Sequence, residues 1–253
     1  MSELEIPSAA ASVAGLTQIQ RVTDTFVAPS KTFEDIKRGN RSWWMPLIIA
    51  ALASYMLFGA ITQKIGMTQA LENQIRMNPK AQEKLSELTP DQRAMQAKIA
   101  TISTQVIFLA SPIFSVIAAA IASLVLLGTI NFIFGGKAKF SAVMAVWFYA
   151  WLPAVIKVLL GVIVIYAGEA PESFNIKNFA PTNAGAFLDP VETNKALYVL
   201  ATSLDAVTLW MLVLLSIGIA TVAGVKRSSG YIAVFGWWAV ITLVGVGWAA
   251  IMG

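Results

Sequence analysis

The chain has 253 residues, of which 57% are hydrophobic and only 13% charged, and its mean hydropathy is +0.69. A soluble chain carries about 25% charged residues, so roughly half the ions needed to clothe a domain of this length in water are missing. A bilayer is therefore the expected solvent. Histidine and cysteine are both absent, which excludes Ser-His-Asp and Cys-His nucleophiles, HExxH zinc sites, thiolate metal centres and disulfides. The net charge of +4 and the pI near 9.3 arise from Lys and Arg spread around hydrophobic blocks, which reads as a topology signal and not as a nucleic-acid footprint.

Residues 1–42 read as a cytoplasmic N-terminal region with amphipathic helices. Glu3 and Glu5 stand where a signal peptide would be basic, so no secretory signal is expected. Val13, Leu16, Ile19, Val22 and Phe26 recur at three- and four-residue steps, and Phe33 and Ile36 continue a second apolar face after Pro29. Such faces suit helices lying on the membrane surface or packing on the cytoplasmic ends of a bundle. Trp43 and Trp44 then mark the headgroup boundary, where aromatic rings with a polar edge collect.

Residues 43–253 form the membrane domain. Five stretches are nearly free of ionisable side chains, at about 43–62, 106–134, 140–166, 197–225 and 231–252. Each approaches or exceeds the ~20 residues that cross a bilayer as a helix. The predicted fold class is all-α: a polytopic membrane protein of five transmembrane helices. In the long connection before the second span, Thr89-Pro90-Asp91-Gln92 has the N-cap Thr, N1 Pro and N3 Gln of a capping box, so a helix is predicted to start there. Ser111-Pro112 is predicted to kink its continuation into the span. The short connections carry Lys137, Lys139, Lys226 and Arg227 without an acid, whereas the connection after the third span holds Glu169, Glu172, Asp189 and Glu192. The positive-inside rule then places the N-terminus in the cytoplasm and the C-terminus outside, with a prokaryotic cytoplasmic membrane as the expected location.

Two ionisable side chains other than tyrosines fall well inside these spans: Lys157 in the third and Asp205 in the fourth. By helical rise they lie roughly 15 and 12 Å from the outer ends of their helices, so a pair is predicted between them. A lone charge there costs several kcal/mol, and pairing offsets part of it. Thr202 and Thr208 flank Asp205, and Tyr149, Pro153 and Lys157 step by four along the third span; both stripes are expected to face the bundle interior. The pair reads either as a clip that fixes helix register or as the lining of a solute or proton path. Small-residue rows, such as Ser216, Ala220 and Gly224, mark close helix packing within the chain or between copies. The string Gly245-x-Gly247-x-x-Ala250 matches a dinucleotide fingerprint but lies inside a membrane helix, with no strand before it.

Several features together resemble the Yip family, five-span membrane proteins named for interaction with Rab-type GTPases, in its prokaryotic form. They are Pro29 to Phe33 with Ile36 before Trp44 and Pro46; Phe134-Gly135-Gly136, then Phe140; Tyr149-x-x-x-Pro153; and Asp205, Trp210 and Ile217-Gly218 in the fourth span. The match covers roughly residues 20 to 250. The resemblance implies a cytosolic N-terminus, a five-helix bundle and membrane organisation through protein partners. The chain lacks the family's Asp-Leu-Tyr-Gly-Pro stretch before the first span, so Rab binding is not carried over. The function expected is thus a non-enzymatic scaffold or partner-binding protein in contact with the lipid bilayer, with a cytoplasmic protein partner and self-association or a heteromeric partner. No cofactor and no nucleic acid are expected. The alternative is a channel or transporter for a small solute or ion built on Lys157 and Asp205.

Overall fold

The computed structural model describes residues 15–252, and all their regular elements are helical; Val13 of the first apolar stripe lies outside them. Two short helices come first, α1 (Gln18–Val27) and α2 (Pro29–Arg38). Thr17 and Gln20 close a capping box at the start of α1, Pro29 opens α2, and Gly39, at φ 126°, ends it. These helices pack against the bundle. Phe33 and Ile36 are fully buried in its largest apolar cluster, beside Val143, Val146, Leu215 and Ile219. Of the predicted first stripe, Val22 and Phe26 reach this cluster, while Ile19 stays exposed.

Five helical segments are long and apolar enough to cross a membrane: Trp44–Ile65, Ser111–Ile133, Phe140–Tyr166, Ala206–Ala223 and Arg227–Ile251. The first is α3 (Trp44–Ala60), extended by one wide turn to Ile65. Beyond Gly66 the chain forms α4 (Met67–Arg76), α5 (Pro79–Ser86) and α6 (Pro90–Leu109). The predicted capping box is present, with Thr89 and Gln92 exchanging both bonds. Pro112 then divides α6 from α7 (Ser111–Gly128), because its ring has no N–H to continue the ladder. Pro153 does the same in the third span, separating α8 (Phe140–Ala150) from α9 (Ala154–Tyr166).

The fourth segment differs from its sequence reading. No single helix covers 197–225; α10 (Lys195–Ser203) stops, and α11 (Ala206–Ala223) starts afresh. Asp205 adopts an extended conformation and caps α11, accepting the Thr208 N–H. A short polar side chain that can satisfy an orphan N–H favours a helix start over a helix interior, and that preference breaks the segment here. Gly224, in the left-handed region at φ 69°, closes α11, and α12 (Arg227–Met252) follows. The fourth span is central: 56% of its apolar window is buried inside the molecule, against 11% for the fifth. The small-residue row predicted on α11 meets α12 where a Cβ on Gly230 would lie 2.3 Å from the Ser216 carbonyl oxygen. Only glycine permits that approach.

Candidate functional site

Lys157 and Asp205 meet. The Lys157 ammonium donates to Asp205 Oδ2 at 2.9 Å, with side-chain exposures of 24% and 2%. Asp205 is also the acceptor for the Thr182 hydroxyl, on the same oxygen at 2.5 Å, and for the Thr208 N–H, on Oδ1 at 2.8 Å. Three donors on one buried carboxylate compensate its charge within the protein. The backbone joins in: Ala206 N–H donates to the Thr182 carbonyl, and Asn183 pairs with Asp205 as an isolated antiparallel bridge. A carboxylate read as a charge inside a helix is therefore the knot that ties α9, α11 and the 167–194 connection together.

That connection is closely fitted to the bundle. A Cβ on Gly161 would lie 2.4 Å from the Phe179 ring, and one on Gly185 would lie 2.4 Å from the Thr202 methyl. Phe174 is buried in a second apolar cluster with Leu57, Ile61 and Ile165, and the Asn73 amide donates to the Pro171 and Phe174 carbonyls. Irregular backbone is tolerated near hydrocarbon only where protein surrounds it, and these contacts supply that surrounding.

The other predicted positions divide between two places. Thr208 contributes its N–H to Asp205, but the Thr202 hydroxyl donates to the Val199 carbonyl and does not join the pair. Pro153 sits in the turn between α8 and α9. Tyr149, on the α8 side of that turn, is fully buried, and its hydroxyl donates to Gln18 Oε1 at 2.9 Å. The Arg21 guanidinium lies 5.2 Å above its ring.

Tyr149 thus belongs to a second polar cluster that sequence reasoning missed. Arg21 is only 1% exposed; it lies 3.7 Å from the Asp35 carboxylate and donates to the carbonyls of Asn40 and Ser42. Asp35 in turn accepts from the Leu16 N–H and the Asn40 amide. The Thr25 and Thr32 hydroxyls both donate to the Arg21 carbonyl. The available signal was the polar row Gln18, Arg21 and Thr25, which follows helical spacing beside the apolar stripe.

Among the described residues no group of three or more His, Asp or Glu side chains is placed to hold a metal ion. No curated protein and no solved structure matches the chain. The family model for the Yip1 domain matches residues 23–249, from within α1 almost to the end of α12. Five apolar helices in that frame make this an integral, multi-pass membrane protein in contact with lipid, and the chain belongs to the Yip1-domain family.

Proposed function

We infer that this protein is a non-enzymatic membrane scaffold whose docked N-terminal helices bind a cytoplasmic partner. The observation that carries the reading is the way α1 and α2 are held. Arg21 and Asp35 lock them to each other and to the 40–42 segment, and Phe33 seats them on the bundle beside Val146 and Gly218. Their outward surface presents Lys31 and Lys37, and the adjoining turns present Lys137, Lys139, Lys226 and Arg227, all exposed. A rigid basic surface needs no ordering when a partner arrives, which favours binding. By the positive-inside rule this surface faces the cytoplasm, with the N-terminus inside and the C-terminus outside. The absence of histidine and cysteine leaves out His- and Cys-based catalysis. A solute path through Lys157 and Asp205 has less support, because both Asp205 oxygens already serve protein donors and other residues line the two clefts beside the 167–194 connection.

The test is recovery of partners after in-membrane crosslinking of the full chain, beside Lys31→Glu/Lys37→Glu/Lys226→Glu. A defined partner set lost with this variant, while its thermal unfolding is unchanged, is the expected result. The same partners recovered with both proteins would overturn it. So would a protein recovered alone whose proteoliposomes exchange a solute.

A further inference from the structure

On the side away from α1 and α2, the end of α4, the 167–194 connection, α10 and the last turns of α12 enclose an open cleft of about 490 Å³. Its charged lining is Lys177 and Lys195, and no carboxylate lines it. Of the acids of the same connection, Asp189 lies close enough to Lys195 to feel its charge but does not line the cleft. Glu169 lines an adjoining cleft, and Asp189 accepts the N–H groups of Val191 and Glu192.

Hydrogen bonding within the cleft leaves donors over. Lys195 Nζ donates to the Met77 and Pro190 carbonyls at 3.2 and 2.9 Å, which fixes the ammonium and leaves one of its three N–H groups for a ligand. Lys177 is exposed. The Tyr198 oxygen accepts from the Asn175 amide at 3.4 Å, so its own proton is available. Asn175 Oδ1, by contrast, is taken by the Gln74 amide and the backbone N–H groups of Lys177 and Asn178. Two ammonium groups and a phenol, lining one cleft that no carboxylate lines, suit an oxyanion such as a phosphate ester.

One wall decides which phosphate ester. Trp248, on α12, lines the cleft and is 66% exposed. It stands about 31 Å along the helix from Arg227, the distance from one side of a bilayer to the other. Ile241 and Val244 continue the same exposed stripe along α12. A headgroup seated between the lysines and the indole has its acyl chains directed along that stripe, whereas a free anion would gain nothing from it.

We propose that this cleft binds the phosphodiester headgroup of an anionic glycerophospholipid, with its chains against Ile241, Val244 and Trp248. The test places the full chain in nanodiscs containing brominated phosphatidylglycerol or brominated phosphatidylcholine. The Trp248 signal is the difference in fluorescence between the protein and Trp248→Phe. Quenching should be stronger with phosphatidylglycerol, and Lys177→Gln and Lys195→Gln should each reduce that preference about fivefold. Lys137→Gln/Lys226→Gln, on the other side, should leave it unchanged. If Lys195→Gln loosens the fold, Lys177→Gln decides the matter alone, since that exposed side chain can be altered without disturbing packing. Equal quenching by the two lipids, or a preference indifferent to Lys177→Gln, overturns the proposal. Relief of quenching by millimolar inorganic phosphate also overturns it, and would assign the cleft to a soluble anion.

Discussion

The two halves of the third span, α8 and α9, touch buried ion pairs of different kinds. Before the Pro153 break, Tyr149 packs under Arg21, whose pair with Asp35 joins neighbouring helices and has side-chain exposures of 1% and 2%. After the break, Lys157 keeps 24% exposure and reaches Asp205 across 48 residues of chain. The first pair is a lock with water excluded from both partners. The second is a clip with one partner partly exposed; each carboxylate has two further donors, Thr182 and Thr208 for Asp205, and the Leu16 N–H and Asn40 amide for Asp35. Replacing a whole buried pair with apolar groups often costs little, whereas removing one partner strands the other. The difference in exposure therefore predicts how unequally the two pairs respond to single substitutions.

Arg21→Met should have the largest effect, about 3 to 5 kcal/mol, because it removes a fully buried guanidinium that donates to two carbonyls and leaves the buried Asp35 with the Leu16 N–H, the Asn40 amide and the half-exposed Arg38 alone against its charge. Unfolding in detergent reads the loss, and protease cleavage between α1 and α3 should rise with it. Arg21→Met/Asp35→Leu should recover part of the stability. A single variant that melts like the parent would show that the lock contributes nothing.

Lys157→Met should cost less, about 1 to 3 kcal/mol, since Lys157 is partly exposed and donates a single hydrogen bond, to Asp205, which keeps its Thr182 and Thr208 donors. With Asp205→Asn, a double-mutant cycle should show coupling of about 1 kcal/mol. Strict additivity of the two losses would mean that the contact carries no energy. The smallest effect is expected from Gly161→Ala, about 1 kcal/mol, as the new methyl displaces the Phe179 ring. Hydrogen exchange should then quicken in the 175–187 segment and stay unchanged in α1 and α2, which would separate clip from lock.

Much of the helical frame was readable along the chain. Long apolar runs marked five spans, and Pro112 marked a break before the second, because a missing N–H acts locally. Helical rise put Lys157 and Asp205 at similar depth, and they meet, although Asp205 stands in a break between two helices and not within one. The break at Asp205 was overlooked for a physical reason. An apolar run signals burial whether or not the helix is continuous, and the cap signal, Asp205 with the Thr208 N–H, was read as polar company on one face. Tyr149 and Lys157 share a stripe on paper, yet the turn at Pro153 sends them to different clusters.

The sequence by itself determined the solvent of this chain, the number of its spans and its family, because hydropathy, charge deficit and motif order are properties of short stretches summed along the chain. Only the tertiary structure decided that Arg21 finds Asp35 and that Thr182 comes down onto Asp205. It also decided that two lysines and a tyrosine share a cleft with Trp248. A hydrogen bond is made or lost within about half an ångström. Helical periodicity leaves the rotation, tilt and approach of each helix free by far more than that, until glycines such as Gly161, Gly185 and Gly230 let neighbouring segments close in.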